Sequence, residues 1–305
     1  MKNFALIGAA GYIAPRHLHA IRDTGNRLVA ALDPHDSVGI LDSFFPDARF
    51  FTEFERFDRH IAKLARGGER LDYVSIASPN YLHDAHVRFA LRSGADAICE
   101  KPLVINPWNL EGLEEIERES GRRVYTILQL RLHPAVRGLR DRVAAAVAAD
   151  PGRQFAVSLD YITSRGAWYS ASWKGDDRRS GGIVTNIGIH FFDMLCWIFG
   201  PVGEIEVGRL DDAFAEGVLT FANAEVRWRM ALDPAELPEP ARAAGQRTYR
   251  SIRVDGEEVE FSEGFTDLHT ASYADILGGG GFGIADARAS IELTHAIRSA
   301  AAAGA

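Results

Sequence analysis

Over roughly the first 130 residues, short apolar runs alternate with stretches whose apolar residues recur at helical spacing. Asn3 to Ile7, Leu28 to Leu32, Arg49 to Phe51, Tyr73 to Ala77, Ala97 to Cys99 and Arg123 to Leu130 read as strands. Pro15 to Thr24, Phe54 to Arg66, Tyr81 to Ser93 and Asn106 to Ser120 read as the helices between them, with Asn106 as N-cap and Pro107 in the first turn. Strand–helix alternation predicts a doubly wound parallel sheet with right-handed crossovers. The pattern changes after Leu132. An alanine-rich helix, Val136 to Ala149, and a strand, Gln154 to Tyr161, lead into a polar and aromatic loop. An apolar helix then starts at Gly181-Gly182 and stops at Gly200-Pro201. Alternating runs at 204–207, 218–221, 225–231, 249–254 and 258–261 predict one mainly antiparallel sheet, with Asp255-Gly256 as a hairpin turn. Pro234 to Gln246 reads as a surface loop, and Leu268 to Leu277 and Ile284 to Ala300 as closing helices. The expected architecture is α/β followed by α+β: a doubly wound domain over 1–131, then a domain over 132–305 whose open sheet is covered by helices on one face.

The first strand runs into Gly8-Ala9-Ala10-Gly11-Tyr12-Ile13-Ala14 and a helix. Glycines permit a tight turn, and a helix N-terminus offers unpaired N–H groups and a positive dipole end to a pyrophosphate. The spacing is GxxGxxA rather than GxGxxG, so an ordinary strand–helix turn is the alternative. Asp33 ends the second strand, 22 residues after Gly11, where a carboxylate binds the ribose hydroxyls of a dinucleotide and repels a 2′-phosphate. That favours NAD over NADP. Asp33 could equally be a turn residue before Pro34.

The run Ala97-Ile98-Cys99 ends in Glu100-Lys101-Pro102. Ligands of open α/β sheets sit at the carboxyl ends of strands, which makes Lys101 a candidate for chemistry; a solvated Glu–Lys pair is the alternative. The net charge of −8 argues against a nucleic-acid partner. Cys99 and Cys196 both lie in apolar segments, as expected of reduced thiols in the cytoplasm. There is no Cys/His spacing that suggests a metal site, no signal peptide, and no stretch read as long enough to span a membrane.

Together, the glycine turn, Ser78-Pro79-Asn80 followed by His83, Glu100-Lys101-Pro102, Gly181-Gly182 with Asn186 and His190, and the late Gly279 to Arg288 segment resemble the Gfo/Idh/MocA oxidoreductase family. Ile7 to His17, Ser78 to Leu82 with Glu100 to Leu103, and Tyr161 to Asp193 are most similar to its UDP-N-acetylglucosaminuronate 3-dehydrogenases. The resemblance implies NAD-dependent oxidation of the sugar C3 hydroxyl, ahead of amination toward a diacetylated aminouronate for lipopolysaccharide O-antigen. It implies that Gly8, Ala10, Gly11, Tyr12, Ile13, Asp33, Ser78, Pro79, Asn80, His83, Glu100 and Lys101 bind the cofactor, with the Lys101-Pro102 bond cis. Trp173 and Lys174 match a cofactor-touching Trp-Arg pair, lysine replacing arginine. The substrate side falls to Lys101, Gln129, Arg131, Tyr161, Ser164, Arg165, Arg178, Asn186 and His190. Partners implied are the UDP-sugar, 2-oxoglutarate as NADH re-oxidant in some members, and further copies of the chain, as a dimer or tetramer through the second sheet.

Oxidising an alcohol requires loss of a proton from oxygen and a hydride from carbon. His190 is the first candidate for the base, because imidazole titrates near neutrality, and Lys101 the second, its pKa depressed beside a positive nicotinamide. Asn186 shares a helix face with His190 and stands where sugar-dehydrogenase relatives often carry aspartate. A buried histidine paired within its helix is the alternative for His190. His83 reads as structural to the cofactor pocket; His17, His19 and His86 read as solvated or capping. Arg165, Arg178 and Arg179 suit a diphosphate or carboxylate, or a solvated basic loop. Tyr161, Trp168 and Trp173 suit stacking or core packing. The competing functions are a dehydrogenase of another sugar or of inositol, and a non-catalytic NAD-binding regulator.

Overall fold

The computed structural model describes residues 1–259 and 267–304. It divides into two compact units: Met1–Gln129 together with Asp267–Arg288, and the remainder from Leu130 onward. The segment 267–288, which the chain order places with the second domain, packs with the first unit.

The first unit is built on β1 (Asn3–Ile7), β2 (Arg27–Leu32), β3 (Arg49–Phe51), β4 (Tyr73–Ile76), β5 (Asp96–Cys99) and β6 (Val124–Thr126). All pairs are parallel, in the order β3-β2-β1-β4-β5-β6. The order reverses between β1 and β4, the crevice where such sheets bind ligands. Buried on both faces, the central strands carry near-continuous apolar runs: Phe4, Leu6 and Ile7 of β1 and Val74 and Ile76 of β4 are all interior. α1 (Ala14–Asp23), α2 (Phe54–Arg66), α3 (His83–Arg92) and α4 (Trp108–Ser120) cover the sheet. α4 ends at Gly121, whose left-handed backbone lets its N–H close on Glu117. Its start lies later than Asn106, with no side-chain cap. β6 is also shorter than expected. The Thr126 N–H pairs with Phe282 of the returning segment, and Gln129–Leu132 forms a single 3-10 turn in place of more strand.

The second unit carries β7 (Phe155–Thr163), β8 (Val202–Leu210), β9 (Phe214–Phe221), β10 (Ala224–Ala231), β11 (Thr248–Val254) and β12 (Glu257–Glu258). Their order is β12-β11-β7-β10-β9-β8, antiparallel except for β7 with β10. Asp255 and Gly256 both have positive φ, the requirement of the two-residue turn that joins β11 to β12. The expected strand 258–261 is described only through its first residues; 260–266 lie outside the described residues. Pro234 to Gln246 contains a short helix, Glu239–Ala243.

The alternation of β10 decides what the sheet covers. Val226, Trp228 and Met230 are interior, while Glu225, Arg227 and Arg229 are not. The interior face packs on the helix Ile189–Phe199, where Phe192 meets Trp228 edge to face at 5.1 Å. The helical stretch 177–199 runs 23 residues and is apolar enough by composition to cross a membrane, which corrects the reading that no stretch reaches that length. With 78% of its apolar window buried inside the unit, it is a core helix.

One charged pair is locked into this core. Arg131 Nε and Nη2 donate to the two oxygens of Asp193 at 2.9 and 2.7 Å, both residues being buried. Removing one partner of such a pair strands a buried charge. Asp193→Ala is expected to cost about 3–5 kcal/mol in urea unfolding; a loss below about 1 kcal/mol would show that water reaches the pair.

Candidate active site

The glycine turn after β1 is shaped for close approach. Gly8 has φ +92°, and a Cβ there would stand 2.5 Å from the Ala77 carbonyl group. Only glycine lets the turn lie this close to the end of β4. Gly8 and Ala9 donate to the Leu32 carbonyl, and Gly11 donates to Gly8. α1 begins just after, with Pro15 in its first turn, no side-chain cap and no acidic residue there. Ala14 and Arg16 already donate to the Gly11 and Ile13 carbonyls, so what this end of the helix offers an anion is its positive dipole end. Asp33 is 6% exposed, and its two oxygens accept from the Ala10 and His35 N–H groups, each at 2.9 Å. The carboxylate is thereby fixed beside the turn with lone pairs remaining for a diol. Tyr12 is largely exposed at the rim. A tight glycine turn packed against the end of β4, the dipole end of a helix and a fixed carboxylate fit the diphosphate and adenosine ribose of NAD.

The neighbouring strand ends carry the other candidates. Ser78, Asn80 and Glu100 are buried, and the Lys101-Pro102 bond is cis. His83 is wholly interior: its Nδ1 lies 2.7 Å from the Pro102 carbonyl and its Nε2 2.8 Å from the Ser78 carbonyl. It braces the Ser78-Pro79-Asn80 turn against Glu100-Lys101-Pro102. Burial pulls its pKa down; the two carbonyls and Glu100 pull the other way without overcoming it. His86 is neither solvated nor a cap. Its Nδ1 meets Ser78 Oγ at 2.8 Å, and burial brings its pKa down to about 4, with His83 adding to the effect.

Glu100 itself is held by residues that sequence reading did not connect to it. His17 Nε2 and His269 Nε2 both reach Glu100 Oε1, at 3.0 and 2.7 Å. His17 Nδ1 meets Tyr273 Oη at 2.7 Å, and Tyr273 Oη meets Ser75 Oγ at 2.6 Å. His17 is fully buried rather than solvated. Burial alone would push the Glu100 carboxyl up; the hydrogen bonds from His17 and His269, with their electrostatic pull, outweigh it and hold it well below the usual carboxylate range.

In the second unit, Asn186 is buried, and its amide donates to Tyr169 Oη at 2.7 Å. Asn186 belongs to a π-helical turn, Val184–Gly188, that precedes the helix carrying His190, and such turns recur at functional sites. His190 is half-buried. Tyr161 packs on Phe191 at 4.8 Å, with the Arg250 guanidinium 5.5 Å from its ring. Lys174 Nζ lies 4.3 Å from the Trp173 ring and 5.7 Å from that of Trp168; burial, then nearby Arg165, lowers its pKa. Arg165 and Arg178 are exposed, and Arg179 pairs with Asp176 at 3.3 Å. Arg131, expected at the substrate, pairs with Asp193. Ser164 Oγ, and in the first unit Gln129 Oε1, are buried polar atoms with no hydrogen-bond partner among the described residues. Such atoms call for a ligand or water.

Residues 2–127 match the NAD-binding Rossmann fold model of the Gfo/Idh/MocA oxidoreductase family, and residues 152–232 match its C-terminal alpha/beta domain. The WlbA (WbpB) dehydrogenase from Thermus thermophilus, solved with NAD and alpha-ketoglutarate, superposes with a TM-score of 0.93 and 52% identity, covering 98% of this chain and 95% of that one. The same enzyme with NAD and UDP-GlcNAcA gives 0.92 and 52%, covering 96% and 94%. D-apiose dehydrogenase from Paraburkholderia graminis is 28% identical over 261 residues, 83% of this chain and 65% of that one. This chain therefore spans about two thirds of that relative's length.

Two outcomes follow from this geometry. Gly8→Ala forces the Ala77 backbone to move, and is expected to weaken NAD binding by at least about tenfold in calorimetry, since the turn must shift. For His86, the folded pKa of about 4 lies below the unfolded value near 6.5, so the unfolded chain takes up the proton first. The contribution of neutral His86 is full above the unfolded value and is lost as pH falls from there toward about 4. Urea unfolding of His86→Asn is therefore expected to lose less stability than the parent over that interval; equal losses would contradict burial of the ring.

Proposed function

The chain belongs to the Gfo/Idh/MocA family of NAD-binding oxidoreductases, and from that premise we propose that it oxidises the C3 hydroxyl of UDP-N-acetylglucosaminuronic acid to the 3-keto sugar. The observation that carries this reading is 52% identity across nearly the whole of the Thermus thermophilus WlbA dehydrogenase, which was solved with NAD and UDP-GlcNAcA. The product suits amination toward a diacetylated aminouronate of a cell-surface polysaccharide.

NAD, when bound, supplies the hydride acceptor. The turn from Gly8 through Ala10, Gly11, Tyr12 and Ile13 holds the diphosphate, and Asp33 takes the adenosine ribose. Ser78, Pro79, Asn80, His83 and Glu100 are assigned to the nicotinamide end, and the resemblance assigns Trp173 and Lys174 to the cofactor as well. Lys101 donates to the C3 oxygen, and His190 accepts its proton, with Asn186 aligning the sugar. Gln129 and Ser164, whose side-chain oxygens are buried without hydrogen-bond partners among the described residues, are assigned to the substrate. Tyr161, Arg165 and Arg178 complete the recognition of an anionic nucleotide sugar.

The proposal extends to 2-oxoglutarate as the re-oxidant of NADH, supported by the Thermus thermophilus enzyme solved with NAD and alpha-ketoglutarate. It extends also to an oligomer formed through the uncovered face of the second sheet, which carries Glu225, Arg227 and Arg229, and to a cytoplasmic setting, supported by the two free cysteines.

Incubation with NAD and the UDP-sugar, with and without 2-oxoglutarate, is expected to give a sugar two hydrogens lighter by mass. No such product from protein that binds both ligands would contradict the reading. Lys101→Met is expected to lower kcat by at least about 100-fold, with NAD affinity changed by less than about threefold. Near-normal turnover would remove Lys101 from the chemistry.

A further inference from the structure

The buried cluster around Glu100 is larger than a structural ion pair requires. We propose that His17, His269 and Tyr273 are positioning residues that keep Glu100 ionised and aimed as a fixed negative charge at the nicotinamide end, so that the protein favours NAD+ over NADH. The proposal rests on the cofactor assignment above.

Proton inventory makes the case. An ionised carboxylate only accepts, so both imidazole nitrogens that reach Glu100 Oε1 carry protons. His17 Nδ1 meets Tyr273 Oη, and Tyr273 Oη meets Ser75 Oγ, so hydrogen bonds run without a break from Ser75 to Glu100. His269 Nδ1 is buried with no hydrogen-bond partner among the described residues. A bare lone pair there costs less than a stranded N–H, so His269 is held neutral with its proton on Nε2; burial drives its pKa the same way.

The ionised carboxylate of Glu100 is the acceptor at the centre of the cluster. It lies at the carboxyl end of β5, next to Lys101. The oxidised nicotinamide is a cation and the reduced ring is neutral, so a fixed anion there binds the two forms differently. The other groups coupled to it are Cys99, His83 and Tyr273 through Glu100, and Arg16 through His269. The three ligand-type atoms of His17, Glu100 and His269 lie within 4.8 Å of one another, but the contacts to Glu100 are at hydrogen-bond length.

The test compares NAD+ and NADH affinities of the full chain, by calorimetry and NADH fluorescence. His269→Leu is expected to weaken NAD+ by about tenfold relative to NADH, and His269→Gln, which keeps an N–H for Glu100, to restore most of the preference. In the parent, the preference stays flat across neutral and mildly acidic pH, because Glu100 is already ionised. In His269→Leu, burial raises the carboxyl, and the preference fades as pH falls. Equal weakening of both forms, failure of the glutamine to restore, or a stoichiometric metal lost with His269 would overturn the proposal. If His269→Leu does not fold, Tyr273→Phe takes its place, with a smaller shift in the same direction expected and an unchanged ratio contradicting it. Parent protein that binds neither cofactor form would instead defeat the cofactor assignment, and the proposal with it.

Discussion

A carboxylate taken out of water must find donors, and in the first unit Glu100 imposes that demand where three parts of the chain meet. His17 comes from the helix after the glycine turn, His269 from the returning segment, and Glu100 from the end of β5. Satisfying one buried charge thereby fastens the first strand–helix unit, the late helix and the Glu-Lys-Pro strand end to one another. His83 adds a second brace by spanning the Ser78 and Pro102 carbonyls. Lys101 lies between residues held from both sides, which is the rigidity that placement of a reacting group requires.

The second unit solves a different problem. Its sheet is wet on one face and must bury the other, so the apolar helix 189–199 is drawn onto Val226, Trp228 and Met230. That same helix brings His190, the preceding turn brings Asn186, and the Arg131–Asp193 pair fixes the register of the helix against the chain just before α5 (Pro134–Ala149). The packing face and the candidate chemistry are thus carried by one element.

Much of this was legible in the sequence. β1, α2 and the Leu268–Leu277 helix have the expected bounds, because each is a local hydrophobic period with clear ends. Asp33 was legible from its distance to the glycine turn. The His17–Glu100–His269 cluster was not, since its members lie 83 and 169 residues apart and nothing local marks a histidine for a distant carboxylate. The return of 267–288 to the first unit is likewise a matter of tertiary packing. The pairing of Arg131 with Asp193, 62 residues away, is also invisible locally. The helix 177–199 exceeds the expected length because the chain is helical from Asp177, ahead of the glycine pair where the sequence pattern starts the apolar helix.

The central claim is that a hydride leaves C3 of a nucleotide sugar for the cofactor this chain binds. UDP-N-acetylglucosaminuronic acid carrying deuterium at C3 tests it in one step. Mass analysis and proton spectra of the recovered cofactor are expected to show the label at C4 of the nicotinamide ring. Label retained in the sugar, or lost to water, would contradict hydride transfer from that carbon.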